Sequence, residues 1–263
     1  MNDEALFLSL RAKLFTAVVG DVLDKMGLRR QFLPQAIQPL RPEMKIVGRA
    51  MPVLEADVFD DGSPLFGGKP FGLMLDALDD LKAGEVYVAT GGSFAYALWG
   101  ELMSTRARYL GAAGAVLNGF VRDAAGIDAL GFPTYSRGLY AQDQGPRGKV
   151  IDFRIGVEIG GVRVAPGDLI FGDREGVLVI PRAAERKAVA AALAKASTEN
   201  KVAAAIRGGM SARGVRGLRC AVSAGKKPPA AARGRLAAAP ACAREGEFRV
   251  QGARSPWVRS KVP

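Results

Sequence analysis

Twenty residues separate Glu101 from the pair Arg122-Asp123, and what lies between limits how this chain can fold. Ser104 to Leu110 has the composition of a helix. A Gly/Ala turn follows, and then the apolar run Ala115-Val116-Leu117, which suits a buried strand. Loop, helix, strand and loop in that order return the chain to where it started. Glu101, within Trp99-Gly100-Glu101-Leu102-Met103, and the Arg122-Asp123 pair, which ends Asn118-Gly119-Phe120-Val121-Arg122-Asp123, can therefore share one pocket. A carboxylate, a guanidinium and a second carboxylate together can bind a metal ion and an anionic substrate.

Composition removes most competing chemistries. The 263 residues contain no histidine, which excludes Ser-His-Asp and Cys-His nucleophiles and every His-ligated zinc site. A metal here takes oxygen ligands, which favours Mg²⁺ or Mn²⁺. Both cysteines, Cys220 and Cys242, fall near the end of the chain, so the body has no disulfide framework. No lysine stands in an apolar run that would mark it as a Schiff-base former. No apolar run reaches the ~18 residues of a membrane span. The start, Met1-Asn2-Asp3-Glu4, lacks the basic and apolar regions of a signal peptide, and the expected location is the cytoplasm.

The net charge of +11 belongs to one end. Residues 211–263 carry 12 Lys/Arg and 2 Asp/Glu, leaving 25 and 24 for residues 1–210. Two regions are expected: a globular domain over 1–212 and a basic, disordered Ala/Arg/Pro/Gly-rich tail over 213–263. The tail's two aromatics, Phe248 and Trp257, are too few for a folded nucleic-acid module, so a nucleic-acid partner is not expected.

Within the domain, Leu6, Leu10, Leu14, Val18, Val22 and Met26 recur at helical spacing and predict one helix over residues 5–27, stopped by Gly27. Strands are expected from Met44 to Leu54, after Gly84, after Gly167 and over 176–181. A hairpin is expected around Gly160-Gly161, a short helix over 73–81, and a surface loop over 60–72. A long Ala-rich helix runs from Ala183 to Ile206 and is closed by Gly208-Gly209. The class is α/β with mixed sheets.

Each candidate residue also has an ordinary role available. Gly100 to Met103 can open a helix whose free amides bind a carboxylate, or Glu101 can simply complement the helix dipole. Arg122 can clamp a substrate oxygen and Asp123 can take one metal position, or the two can form a surface ion pair. Asp168, Asp173 and Glu175 suit turns and caps. Gly67-Gly68-Lys69 lacks the spacing of a phosphate loop.

At these residues the chain resembles the RraA-like family, which includes 4-hydroxy-4-methyl-2-oxoglutarate aldolases that also decarboxylate oxaloacetate, and RNase E regulators. The carboxylate-x20-Arg-Asp spacing at Glu101, Arg122 and Asp123 is joined by Thr16-Ala17-Val18-Val19-Gly20-Asp21, Phe132-Pro133-Thr134-Tyr135-Ser136-Arg137-Gly138 and Pro166-Gly167-Asp168-Leu169-Ile170-Phe171-Gly172-Asp173. The resemblance covers roughly residues 5–212. It implies a swivelling β/β/α domain with a long C-terminal helix, assembled as a homotrimer or hexamer. It further implies a class II aldolase that releases pyruvate through an enolate stabilised by a divalent metal, Mg²⁺ or Mn²⁺, and an arginine.

Residue by residue, the backbone of Gly100, Glu101, Leu102 and Met103 would bind the pyruvoyl carboxylate of a small 2-oxo acid such as oxaloacetate. Arg122 would contact the keto side, Asp123 would hold the metal, and Glu101 would act as base or proton donor. Glu199 of a neighbouring copy is a further candidate. The family's alternative is a non-catalytic regulator that binds RNase E; such regulators lack the full Arg-Asp pair, and this chain keeps both residues. Relatives end differently after Gly209-Met210-Ser211-Ala212, so the tail reads as a replaced or frameshifted terminus without selected function. A protein ending at residue 212 that failed to assemble would contradict that reading.

Overall fold

The computed structural model describes residues 3–58, 69–211 and 213–215. Most of the expected surface loop and nearly all of the expected tail lie outside the described residues. Residues up to Glu199 form one compact unit, and Asn200 begins a second.

The framework is a mixed sheet in the order β1-β7-β5-β3-β2-β11-β12, with β8 also paired to β2. Its strands are β1 (Gln38–Pro39), β2 (Ile46–Asp57), β3 (Glu85–Thr90), β5 (Gly114–Leu117), β7 (Thr134–Ser136), β8 (Gly148–Phe153), β11 (Leu169–Asp173) and β12 (Gly176–Ile180). β2 is long enough to hold three neighbours. It runs parallel to β3, its first half pairs antiparallel with β11, and its second half pairs antiparallel with β8 across a bulge between Leu54 and Glu55.

Side chains alternate between the two sheet faces, and both faces are covered, which is why the strands read as continuous apolar runs. Ile46, Val86, Val88, Ile170, Val177 and Val179 pack on one face with Val157, Ile159, Val162 and Val164. Those last four residues come from the hairpin β9 (Val157–Ile159) and β10 (Val162–Val164). Residues at alternate positions, such as Val47, Tyr87, Phe171 and Leu178, face the helices. Hairpin, sheet and helices are thus the expected β/β/α layers. One helix group is α1 (Asp3–Lys13), α2 (Thr16–Lys25) and α6 (Glu185–Arg207); the other is α3 (Met74–Asp79), α4 (Glu101–Tyr109) and α5 (Ala124–Leu130). No helix of the described residues is long and apolar enough to cross a membrane.

The expected helix over 5–27 is a correction: it is two helices, broken at Leu14-Phe15. The cause is distant in sequence. The Asp173 carboxylate, buried at the end of β11, accepts hydrogen bonds from the Thr16 amide and the Thr16 hydroxyl, both at 2.8 Å. This fixes a new helix start at Thr16. A cap of this kind is worth about 1–2 kcal/mol, enough to settle where a short helix begins. Asp173 also accepts from the Glu175 amide, and Asp168 accepts from the amides of Ala165 and Arg182. These carboxylates serve turns and caps, as their Gly-acid setting suggests.

Candidate active site

A short parallel pair sets up the site. β4 (Ala97–Trp99) and β6 (Phe120–Val121) run side by side, so the residues that follow them, Gly100 and Arg122, emerge together. The Arg122 amide donates to the Trp99 carbonyl at 3.0 Å. Trp99 is a buried anchor. Its ring stacks on Phe132, and its Nε1 donates to the Ser104 hydroxyl at 2.6 Å, which itself donates to the Gly100 carbonyl at 3.2 Å. The first turn of α4 is tied to β4 by this chain of bonds.

Gly100 is the N-cap of α4 in extended backbone, with no side-chain cap. The first amides of the helix are therefore not consumed by a cap and are open to an anion. The absence of a Cβ matters here, because one built on Gly100 would sit 2.8 Å from Asp123 Oδ2 and 3.5 Å from Arg122 Cγ. The residue type thus permits the backbone of α4 and the Arg-Asp pair to come within contact.

Asp123 is left-handed, with φ 56° and ψ 37°, a conformation that costs a non-glycine residue about 1 kcal/mol. It occupies the N-cap position of α5, yet its carboxylate makes no cap bond. That carboxylate instead lies 3.5 Å from Arg122 Nε. Arg122 Nη1 donates to Asp143 Oδ1 at 2.7 Å, and Nη2 has no hydrogen bond among the described residues. Both side chains of each pair are partly exposed, as a site open to small ligands requires.

Gly100, Leu102, Met103, Arg122 and Asp123 line one cavity of about 390 Å³. Glu101 does not line it. Its carboxylate lies against α5, where a Cβ on Gly126 would overlap it. Glu199 is on α6 and pairs with Lys195 at 2.7 Å. A larger groove of about 760 Å³ between α1 and the far ends of α4 and α5 holds none of the expected residues.

Sequence reasoning missed several groups. Asp143 and Gln144 reach the cavity from the loop after β7, and nothing in their local pattern marks them. Gln144 Nε2 donates at 2.5 Å to Glu55, a carboxyl buried inside β2. Burial without a countercharge pushes Glu55 up to about 8, against a smaller opposing effect of the Gln144 bond. Lys149 on β8 is also buried, its ammonium donating to the carbonyls of Lys69 and Pro70. A charged residue at the end of the apolar run Met51-Pro52-Val53-Leu54 was the available signal for Glu55; Lys149, which follows Arg147-Gly148, carried none.

Among the described residues no group of three or more His, Cys, Asp or Glu is placed to hold a metal ion. The donor set nevertheless fits Mg²⁺ or Mn²⁺, which are commonly held by one or two carboxylates, with waters and substrate oxygens completing the shell. Asp123, half-exposed at the cavity edge and not used as a cap, is such a carboxylate.

Comparison with known proteins agrees with this architecture. The RraA-like family, described as Aldolase/RraA, matches residues 16–179, more than half of the chain. The "Putative 4-hydroxy-4-methyl-2-oxoglutarate aldolase" of Halalkalibacterium halodurans is 33% identical over 171 residues, 65% of this chain and 74% of that protein. Protein DlpA of Legionella pneumophila is 28% identical over 194 residues, 74% of this chain; the chain spans only 30% of DlpA's length. The crystal structure of an uncharacterized protein from Pseudomonas syringae pv. tomato superposes with a TM-score of 0.70 at 26% identity, covering 81% of this chain and 97% of that one. With the family's pattern spread over the sheet, the helices and the cavity alike, the chain belongs to the RraA-like family.

Proposed function

We propose that this chain is a cytoplasmic carbon-carbon lyase: a divalent-metal-dependent aldolase that releases pyruvate from 4-hydroxy-2-oxo acids of the 4-hydroxy-4-methyl-2-oxoglutarate type and decarboxylates oxaloacetate. One observation carries the reading. An uncapped helix start, a guanidinium with a free donor and a carboxylate unused by its own helix converge on one cavity. The likeness to the Halalkalibacterium protein supports it. A regulator that only binds RNase E would need none of this arrangement.

In this reading the amides of Glu101, Leu102 and Met103 hold the pyruvoyl carboxylate. Arg122, its plane fixed by Asp143, donates Nη2 to the 2-oxo oxygen. Cleavage of the C3–C4 bond leaves its electron pair on C3, delocalised onto that oxygen, so a donor aimed there is worth most in the transition state. Asp123 would hold Mg²⁺ or Mn²⁺, which supplies Lewis-acid polarisation of substrate oxygens. Glu101, beside the cavity rather than in it, exchanges protons with the substrate through water. The proposed assembly is a homotrimer or hexamer, with Glu199 of a neighbouring copy contributing a further carboxylate.

Pyruvate release from oxaloacetate and from 4-hydroxy-4-methyl-2-oxoglutarate, followed with Mg²⁺ and with EDTA, tests the proposal. Release with Mg²⁺ that EDTA abolishes is expected. No pyruvate from either substrate with the metal present would contradict it.

A further inference from the structure

The cavity carries two arginines, each held by an aspartate. Arg122 Nη1 donates to Asp143 at 2.7 Å, and Arg106 Nε donates to Asp79 at 2.8 Å. All four residues line the cavity. Arg122 stands with Asp123 at the start of α4, where the pyruvoyl group is placed in the function proposed above. Arg106 stands further along the same helix, paired to α3, and that function leaves it without a role.

Helix geometry relates Arg106 to the pyruvoyl end. Leu102 and Arg106 are four residues apart, so they lie on one face of α4 about one turn, ~5.4 Å, from each other, and both line the cavity. Side chains on a helix lean toward its N-terminus, which carries the Arg106 guanidinium back toward the helix start. An acid held at its first carboxylate by the amides of α4, with its chain along this face, meets Arg106 about one turn on. The two carboxylates of a 2-oxoglutarate skeleton span a comparable length.

The wall beside Arg106 is otherwise apolar, formed by Phe71, Met74, Leu75 and Leu78. A carboxylate set against it without a donor would lose its water uncompensated. A metal on Asp123 belongs to the other end, since a Cβ on Gly100 would sit 2.8 Å from Asp123 Oδ2. Arg106 supplies the donor that the α3 end needs. A guanidinium has five N–H donors. Asp79 engages Nε, which fixes the plane of the fork that can grip a carboxylate. The Arg106 and Asp79 side chains are 41% and 64% exposed, so the pair is open to a ligand entering from solvent.

Resting on the function proposed above, we infer that Arg106 receives the C5 carboxylate of dicarboxylic 4-hydroxy-2-oxo acids and sets the preference of the site for them over monocarboxylic ones.

The test measures kcat and KM for pyruvate release from 4-hydroxy-4-methyl-2-oxoglutarate with Mg²⁺ in wild type, Arg106→Gln and Arg106→Lys. The same samples are followed by NMR for exchange of the pyruvate methyl protons with D2O. That exchange is the enolate protonation run backwards, and it reports the pyruvoyl end alone, because pyruvate has no second carboxylate. Arg106→Gln is expected to raise KM about 10–100-fold, the scale of one lost charge-assisted hydrogen bond. Its pyruvate exchange should stay within about twofold of wild type, and its fold should persist, because an exposed ion pair contributes little to stability. Arg106→Lys keeps the charge and is expected to recover part of the loss. An unchanged KM in Arg106→Gln would overturn the inference and leave the lyase reading standing. So would an equal loss of turnover and exchange, which would make Arg106 a structural residue. No pyruvate from this acid or from oxaloacetate with the wild type would overturn the proposed function, and the inference with it.

Discussion

Arg122→Lys is expected to lower kcat/KM for pyruvate release by about 10²–10³-fold while the protein stays folded. Arginine at this position does two things at once. Nη1 holds Asp143 at 2.7 Å while Nη2 stays free of hydrogen bonds among the described residues. Lysine offers a single point charge, which either pairs with Asp143 or reaches the substrate but cannot hold a fixed plane for both. The stability change should be small, about 0–1 kcal/mol, because the Arg122 ion pairs are partly exposed and such pairs contribute little. Steady-state kinetics and a thermal melt on the same preparation check this. A loss of less than about threefold would remove Arg122 from the transition state.

Glu55→Gln is expected to have the largest effect on stability, one that grows as pH rises from about 4.5 to about 8. Glu55 is 2% exposed, with Oε1 buried and without a partner among the described residues. Burial is the main cause of its rise from 4.5 to about 8. The folded state therefore keeps a proton that the unfolded chain has already lost. Stability from this group is fully present below about 4.5 and declines as pH rises toward 8, because in that window the folded protein binds more protons than the unfolded one. Above that window the charged carboxylate sits in the core at a cost on the order of 5 kcal/mol. A glutamine keeps the shape and removes the charge. Urea unfolding should show wild type and Glu55→Gln about equal near pH 4.5, and the variant more stable above pH 8. A wild-type stability that stays flat across this range would contradict the assignment. The effect should extend to the site, since Gln144 joins Glu55 to the cavity wall and is next in sequence to Asp143.

What the sequence made legible is local chemistry repeated in order. The helix and strand between Glu101 and Arg122, the hairpin at Gly160-Gly161 and the long Ala-rich helix all depend on residues close together in the chain. That order brings the start of α4 to the Arg122-Asp123 pair, and β4–β6 pairing is its physical form; it also put Glu101 in the shared pocket, and Glu101 does not line the cavity. What stayed hidden depends on distant partners. The break at Phe15 is made by Asp173, 157 residues from Thr16. Asp143 gains meaning only through Arg122, and Gln144 only through Glu55. The displacement of Glu101 from the cavity reflects how closely α5 approaches at Gly126, a packing distance that residue spacing along the chain does not encode.

The measurement that bears most directly on the central claim is Mn²⁺ binding, followed by its paramagnetic signal, together with pyruvate release from oxaloacetate in the same samples of wild type and Asp123→Asn. The account predicts that the wild type binds Mn²⁺ and releases pyruvate in proportion to its occupancy. It predicts that Asp123→Asn, folded to the same melting temperature, loses most of both. Full metal binding and turnover in Asp123→Asn would contradict it and place the chemistry elsewhere on the molecule.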